Sequence, residues 1–169
     1  MALTRLNNRS VSAVTSFMDA GAATGTVLQV VEGYINNQPS TTTYTSFVDT
    51  GLTATITPSS TSSKILVMFN GHAFDNTNGH NNHLALYRDS TPIGKSGSEA
   101  SWTIAHSGLD GRDGSFSVSV LDTPSTTSSI TYSIKFRAEN GTDTAHFNSV
   151  NQSTATIPRS TIHLMEIAG

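Results

Sequence analysis

From Gly25 onward, apolar and polar residues alternate in short runs broken by Gly, Pro, Asn, Asp and clusters of Ser and Thr. A period of two puts successive side chains on opposite faces, so such runs predict half-buried β-strands. The stretch Thr55–Phe69 (TITPSSTSSKILVMF) sets the pattern for the rest. An alternating run ends at Thr57-Pro58 and a hydroxyl-rich turn follows. Lys64–Phe69 then reads as a core strand, apolar on both faces.

The same grammar predicts strands over Thr26–Ile35, Thr43–Val48, Leu52–Thr57, Lys64–Phe74, His83–Arg88, Ser101–Ala105, Ser115–Leu121, Ser128–Arg137, Ala145–Val150 and Ser160–Ile167. Leu52, Ala54 and Ile56 share one face of their strand, as do Phe116, Val118 and Val120, and Ile130, Tyr132, Ile134 and Phe136. Asp75–Asn82 (DNTNGHNN) is a wet loop, Asp89–Pro92 a turn and Gly108–Gly114 a turn cluster. Asn140-Gly141 predicts a hairpin turn of type I′, because both residues accept positive φ.

About ten strands without a long helix predict an all-β fold, an antiparallel β-sandwich. The size suits a jelly-roll-like arrangement better than a seven-stranded immunoglobulin domain; a closed barrel is the alternative. No repeat at a fixed period supports a propeller or solenoid.

Composition sharpens this picture. Charged residues are only 12%, and Ser and Thr together occupy 49 positions, suiting turns and polar sheet faces. Disorder is the competing reading of such a chain, and the ordered alternation with a net charge of only −3 argues against it. The same weak charge gives no footprint for nucleic acid. With no cysteine there is no disulfide framework or thiol chemistry. No apolar run approaches a membrane span, and no secretion signal opens the chain, so a soluble protein made in a cytoplasm is expected.

Residues 1–25 differ from the sandwich domain expected over 26–169. They carry Arg5 and Arg9 against one acid, Asp19, and end in the small-residue linker Ala20–Gly25. Leu3, Leu6, Val11, Val14, Phe17 and Met18 fit neither helical nor strand spacing over the whole stretch, although Ser10–Met18 has the length of a short helix. A solvated tail has little use for so many apolar side chains, so an extended N-terminal arm ordered on a partner is expected.

Candidate chemistry is sparse. Six histidines (His72, His80, His83, His106, His146 and His163) invite a metal site, yet no set shows closed four-ligand spacing. Asp75-x-Thr77-x-Gly79 lacks the later acidic ligands of a calcium loop. Gly94-Lys95-Ser96 lacks the earlier glycine of a phosphate loop. No Gly-x-Ser-x-Gly elbow is present, and Asp110 and Asp113 sit in a turn where Asp bonds its own backbone. Asn8, Asn140 and Asn151 head glycosylation triplets that mean little without a secretion signal. Neither a cofactor, a metal nor an enzymatic activity is therefore expected. A ligand site remains conceivable: Trp102, Tyr34, Tyr44 and Tyr87 could stack on sugars beside Asp75, His80 and His83.

Several blocks resemble small structural proteins of tailed bacteriophages, particularly those infecting marine bacteria and cyanobacteria. They are Leu6-Asn7-Asn8-Arg9-Ser10, Val27–Val31, Ser46–Leu52, Thr55–Val67 and Leu164–Ile167. The resemblance touches both ends and much of the first half, and leaves Phe74–Arg112 unmatched. It implies a virion component, usually a homotrimer, on the capsid exterior or at a fibre tip. The leading expectation is a capsid decoration (cement) protein that grips the major capsid protein through its arm. Leu3, Arg5, Leu6, Asn8, Arg9, Val11 and Phe17 would make the contact, the arginines pairing with shell carboxylates. The alternative is a receptor-binding tip of a tail fibre or tail spike. It would recognise cell-surface glycan through Asp75, His80, His83 and Trp102. Neither role involves nucleic acid or a membrane.

Overall fold

The computed structural model describes residues 22–75, 81–93, 102–104, 113–149 and 157–169. Eleven strands follow in order: β1 (Val27–Ile35), β2 (Ser40–Thr41), β3 (Val48–Ile56), β4 (Lys64–Asp75), β5 (Asn82–Arg88), β6 (Thr91–Ile93), β7 (Trp102–Ile104), β8 (Asp113–Asp122), β9 (Ile130–Arg137), β10 (Ala145–Phe147) and β11 (Ser160–Ile167). All pairings are antiparallel. The described residues form no helix.

β4 organises the first sheet. β8 pairs along one edge of it from Ile65 to Phe74, so β11 (on Lys64–Asn70) and β10 (on Ala73–Asp75) share the other edge. β1 flanks β11 and β2 flanks β10, which gives sheet A four lanes: β1 with β2, β11 with β10, β4, and β8. β5 plays the same part in sheet B, with β9 on one edge and β6 and β7 sharing the other, while β3 lies outside β9. From lane to lane, only the step from β5 to β6 and β7 stays within one sheet.

The two sheets enclose one core. Leu52 and Ile56 of β3, Leu84 and Leu86 of β5, and Tyr132, Ile134 and Phe136 of β9 come from sheet B. Ile65, Val67 and Phe69 of β4 meet them with Phe147, Ile162 and Leu164. Phe116, Val118 and Val120 pack against this core from β8, as their alternation predicts. The all-β antiparallel sandwich is thus the fold of this chain.

Three expectations need correction. Thr43–Val48 pairs as a strand only at Val48, which opens β3. Its Thr-rich alternation satisfies strand propensity, but no strand among the described residues supplies the missing ladder. Asn140-Gly141 makes no type I′ turn, since neither residue has positive φ. It joins β9 of sheet B to β10 of sheet A, and the Asn140 side-chain oxygen instead accepts from the Thr142 N–H and hydroxyl. Lys64–Phe69, finally, is buried on one face only: Ile65, Val67 and Phe69 enter the core, while Leu66 and Met68 remain partly exposed.

Candidate functional site

Directly opposed residues of antiparallel strands share a face, so the registers fix what the outside of sheet A presents. Val30 opposes Met165, Met165 opposes Leu66, and Leu66 opposes Leu121. These four residues form one apolar row across all four lanes, with Val30 55% and Leu121 54% exposed. Beside it run Val27, Ile167 and Lys64, and on the other side Glu32, His163, Met68 and Ser119. Further along, the face turns polar through Tyr34, Thr161, Asn70 and Ser117.

Sheet B presents a different exterior. Lys135 lies 4.8 Å from the Tyr87 ring centre and pairs with Asp49 at 3.1 Å; the Arg137 guanidinium lies 5.5 Å from the Phe47 ring centre. Thr55 and Thr131 exchange a hydroxyl hydrogen bond of 2.9 Å. Aromatic and charged groups there already satisfy one another. Among the described residues, sheet A's row has no such partners, and a contiguous outward apolar row is a candidate contact surface.

The row begins where residues 1–21 join the domain. Gly25 takes φ +89 and donates its N–H to the Ala168 carbonyl at 2.8 Å, and Ala168 returns a bond to Thr26. Leu28 occupies a register shift between Val27 and Gln29, a bulge in β1. With Ala22, Ala168 and the serines of the β3–β4 connection, it lines a cleft of about 270 Å³.

Buried polar groups hold this corner together. Glu166 is fully buried, and its carboxylate accepts from the Ser59 N–H and hydroxyl, the Ser63 hydroxyl and the Gln29 amide. Burial alone would raise its pKa; the bonds from Ser59, Gln29 and Ser63 outweigh that and hold the carboxyl down at about 2. At neutral pH it is a fixed anion that organises the turn. On the opposite side, Arg88 of β5 grips both oxygens of Asp122 of β8, at 3.0 and 2.8 Å. The Tyr132 hydroxyl of β9 donates to the same carboxylate at 2.7 Å, so a polar clamp crosses between the sheets. Asn82 is fully buried, and its amide has no hydrogen-bond partner among the described residues.

The sequence-predicted site residues fare unevenly. Leu3, Arg5, Leu6, Asn8, Arg9, Val11, Phe17 and His80 lie outside the described residues. Asp75 ends β4 in sheet A, opposite Ala145. His83 and Trp102 are both in sheet B, where His83 opposes Thr103 and Arg137, and Trp102 opposes Leu84. Register therefore puts His83 in the row of Thr103 and Trp102 in the next row, that of Leu84; it brings neither opposite the other, and it leaves Asp75 in the other sheet. His72 and His163 face outward on sheet A, and His146 stacks on Phe74 at 5.6 Å between ring centres. Among the described residues, no group of three or more His, Asp or Glu could hold a metal ion.

The outward row is the feature that sequence reasoning passed over. Its signal was present in the apolar second face of Lys64–Phe69, in Leu164-Met165, and in Leu121 at the end of a serine-faced strand. The chain matches no protein-family model and no curated protein.

Proposed function

We propose that this chain is a structural component of a tailed-bacteriophage virion, a capsid decoration protein clamped onto the major capsid protein shell by its N-terminal arm. The observation that carries this reading is the place where the arm meets the domain. Residues 1–21, with aliphatic and aromatic anchors and two arginines, join the sandwich beside the outward apolar row. An arm with such anchors grips by burying them on its partner, and a clamp needs a rigid domain at the root of its strap. The wiring adds support. Lane order β1, β11, β4, β8 facing β3, β9, β5 and β6 with β7 is the interleaving expected of a jelly roll, a frequent virion fold.

In this reading the arm residues Leu3, Arg5, Leu6, Asn8, Arg9, Val11 and Phe17 carry the attachment to the shell, the protein is a homotrimer, and it resides on the capsid exterior. Deleting residues 1–25 tests the arm. Capsids should then lose the protein while the truncated chain keeps its β-rich circular dichroism and its trimeric mass. Undiminished occupancy of capsids by the truncated chain would refute the role. A fibre-tip role predicts instead a glycan-array signal that Trp102→Ala removes, and a monomer by light scattering at micromolar concentration would remove the trimer.

A further inference from the structure

We propose that the outward row of sheet A is the seat of the chain's own segment Val11–Met18, which crosses Val30, Met165, Leu66 and Leu121 and leaves Leu3–Arg9 projecting beyond the domain. The inference deepens the decoration reading but stands on separate observations. The first is position. The chain enters at Ala22, tied to the Ala168 edge by Gly25, and Ala168 directly follows Ile167 of the row next to the stripe. Met18 lies four residues before Ala22, a reach of about 13 Å in extended chain, from an entry point that borders Leu28 and Ala168.

The second is footprint. Four lanes about 4.8 Å apart and two rows about 7 Å apart give a stripe on the order of 15–19 Å by 14 Å. That is some 250 Å², far below the roughly 800 Å² per partner of a stable protein interface. It suits one short segment, since eight residues span about 12 Å as a helix and about 27 Å extended. The third is chemistry. Val11–Met18 (VSAVTSFM) carries no charge and five apolar side chains, four of them larger than alanine. Asp19, the single acid of residues 1–25, follows it and would come down near Lys64, which ends the neighbouring row. A strap anchored at its base presents its distal half in a restricted arc, which lowers the ordering cost of gripping a partner.

The chain lacks cysteine, so single cysteines report cover directly. Leu121→Cys lies on the stripe, and Ser117→Cys lies two rows away on the same outward face. In the full chain, maleimide should label Leu121→Cys about tenfold more slowly than Ser117→Cys. Adding Val14→Asp and Phe17→Asp should bring the two rates together by accelerating Leu121→Cys alone. Equal rates at the two sites in the unaltered arm overturn the inference. So does slow labelling of the Asp double variant that depends on protein concentration, or that returns when cysteine-free full chain is added, because a second copy is then the cover. Capsid occupancy separates the two proposals: an uncovered Leu121→Cys with arm-dependent occupancy removes this inference alone. A covered one on a protein that capsids do not retain removes the decoration reading alone.

Discussion

One oxygen of the Glu166 carboxylate accepts both the backbone N–H and the hydroxyl of Ser59, each at 2.7 Å. Through this contact β11 fixes the turn by which the chain crosses from β3 of one sheet to β4 of the other. The carboxyl is held at about 2, against an ordinary value of 4.5, so the folded state favours its charged form. Its stabilising contribution is complete above the unfolded value near 4.5 and is lost as pH falls towards 2. The difference corresponds to about 3 kcal/mol. Glu166→Gln should therefore cost about 2–3 kcal/mol at pH 7, since its amide N–H₂ would face donors. Urea unfolding of both proteins from pH 6 to pH 2 checks this: the gap between them should close as pH falls.

Tyr132 supplies the second prediction. Burial, then the hydrogen bond to Asp122 and that carboxylate's charge, push its phenol far above the ordinary range, with Arg88 opposing. Tyr132 should remain protonated until the chain unfolds. In alkaline ultraviolet titration, the parent and Tyr132→Phe should give coincident tyrosinate curves while folded and diverge at unfolding. A divergence within the folded range would show the clamp to be open. The substitution should also cost about 1.5–3 kcal/mol, because it removes a donor from a carboxylate whose other partner among the described residues is Arg88.

Asn148 holds φ +55 at full burial, donates to the Asn37 carbonyl at 2.9 Å and accepts from the Ser160 hydroxyl at 2.8 Å. Ala and Gly both lose these bonds, but only Ala pays for the left-handed backbone, by about 1–2 kcal/mol. Asn148→Gly should consequently unfold at higher urea than Asn148→Ala. Equal midpoints would mean that the hydrogen bonds alone explain the residue.

Much of the sandwich was legible because its inward faces are written in period two. Ile130, Tyr132, Ile134 and Phe136 are all buried, as their spacing implied. Long-range pairing was not legible. Thr43–Val48 alternates well and still finds a ladder only at Val48, and Asn140-Gly141 flanks strands that part for different sheets. The interruption of β3 was hidden too: Gly51 takes φ +84, the register slips between Asp49 and Thr53, and the Thr50 hydroxyl fills the gap by donating to the Ile134 carbonyl. The outward row escaped notice for a different reason. An apolar second face means either a strand buried on both sides or an uncovered surface, and only the neighbouring lanes distinguish the two.

Gly33 gives the last prediction, about how the two sheets close on each other. It lies in β1 of sheet A, and a Cβ added there would overlap the carbonyl oxygen of Thr53 in β3 of sheet B. The obstacle is backbone, pinned by the pairing of Thr53 with Ser133, and it cannot swing aside as a side chain would. Overpacking of a fixed core typically costs about 1–3 kcal/mol, and Gly33→Ala should reach at least the upper end of that range. Gly25 offers the control. A Cβ there meets nothing within 4 Å, so Gly25→Ala carries only the cost of its φ of +89, about 1–2 kcal/mol. Urea midpoints for the two variants, at unchanged slope, should rank Gly33→Ala as the less stable. The opposite order would mean that β1 and β3 do not approach as closely as the sandwich requires.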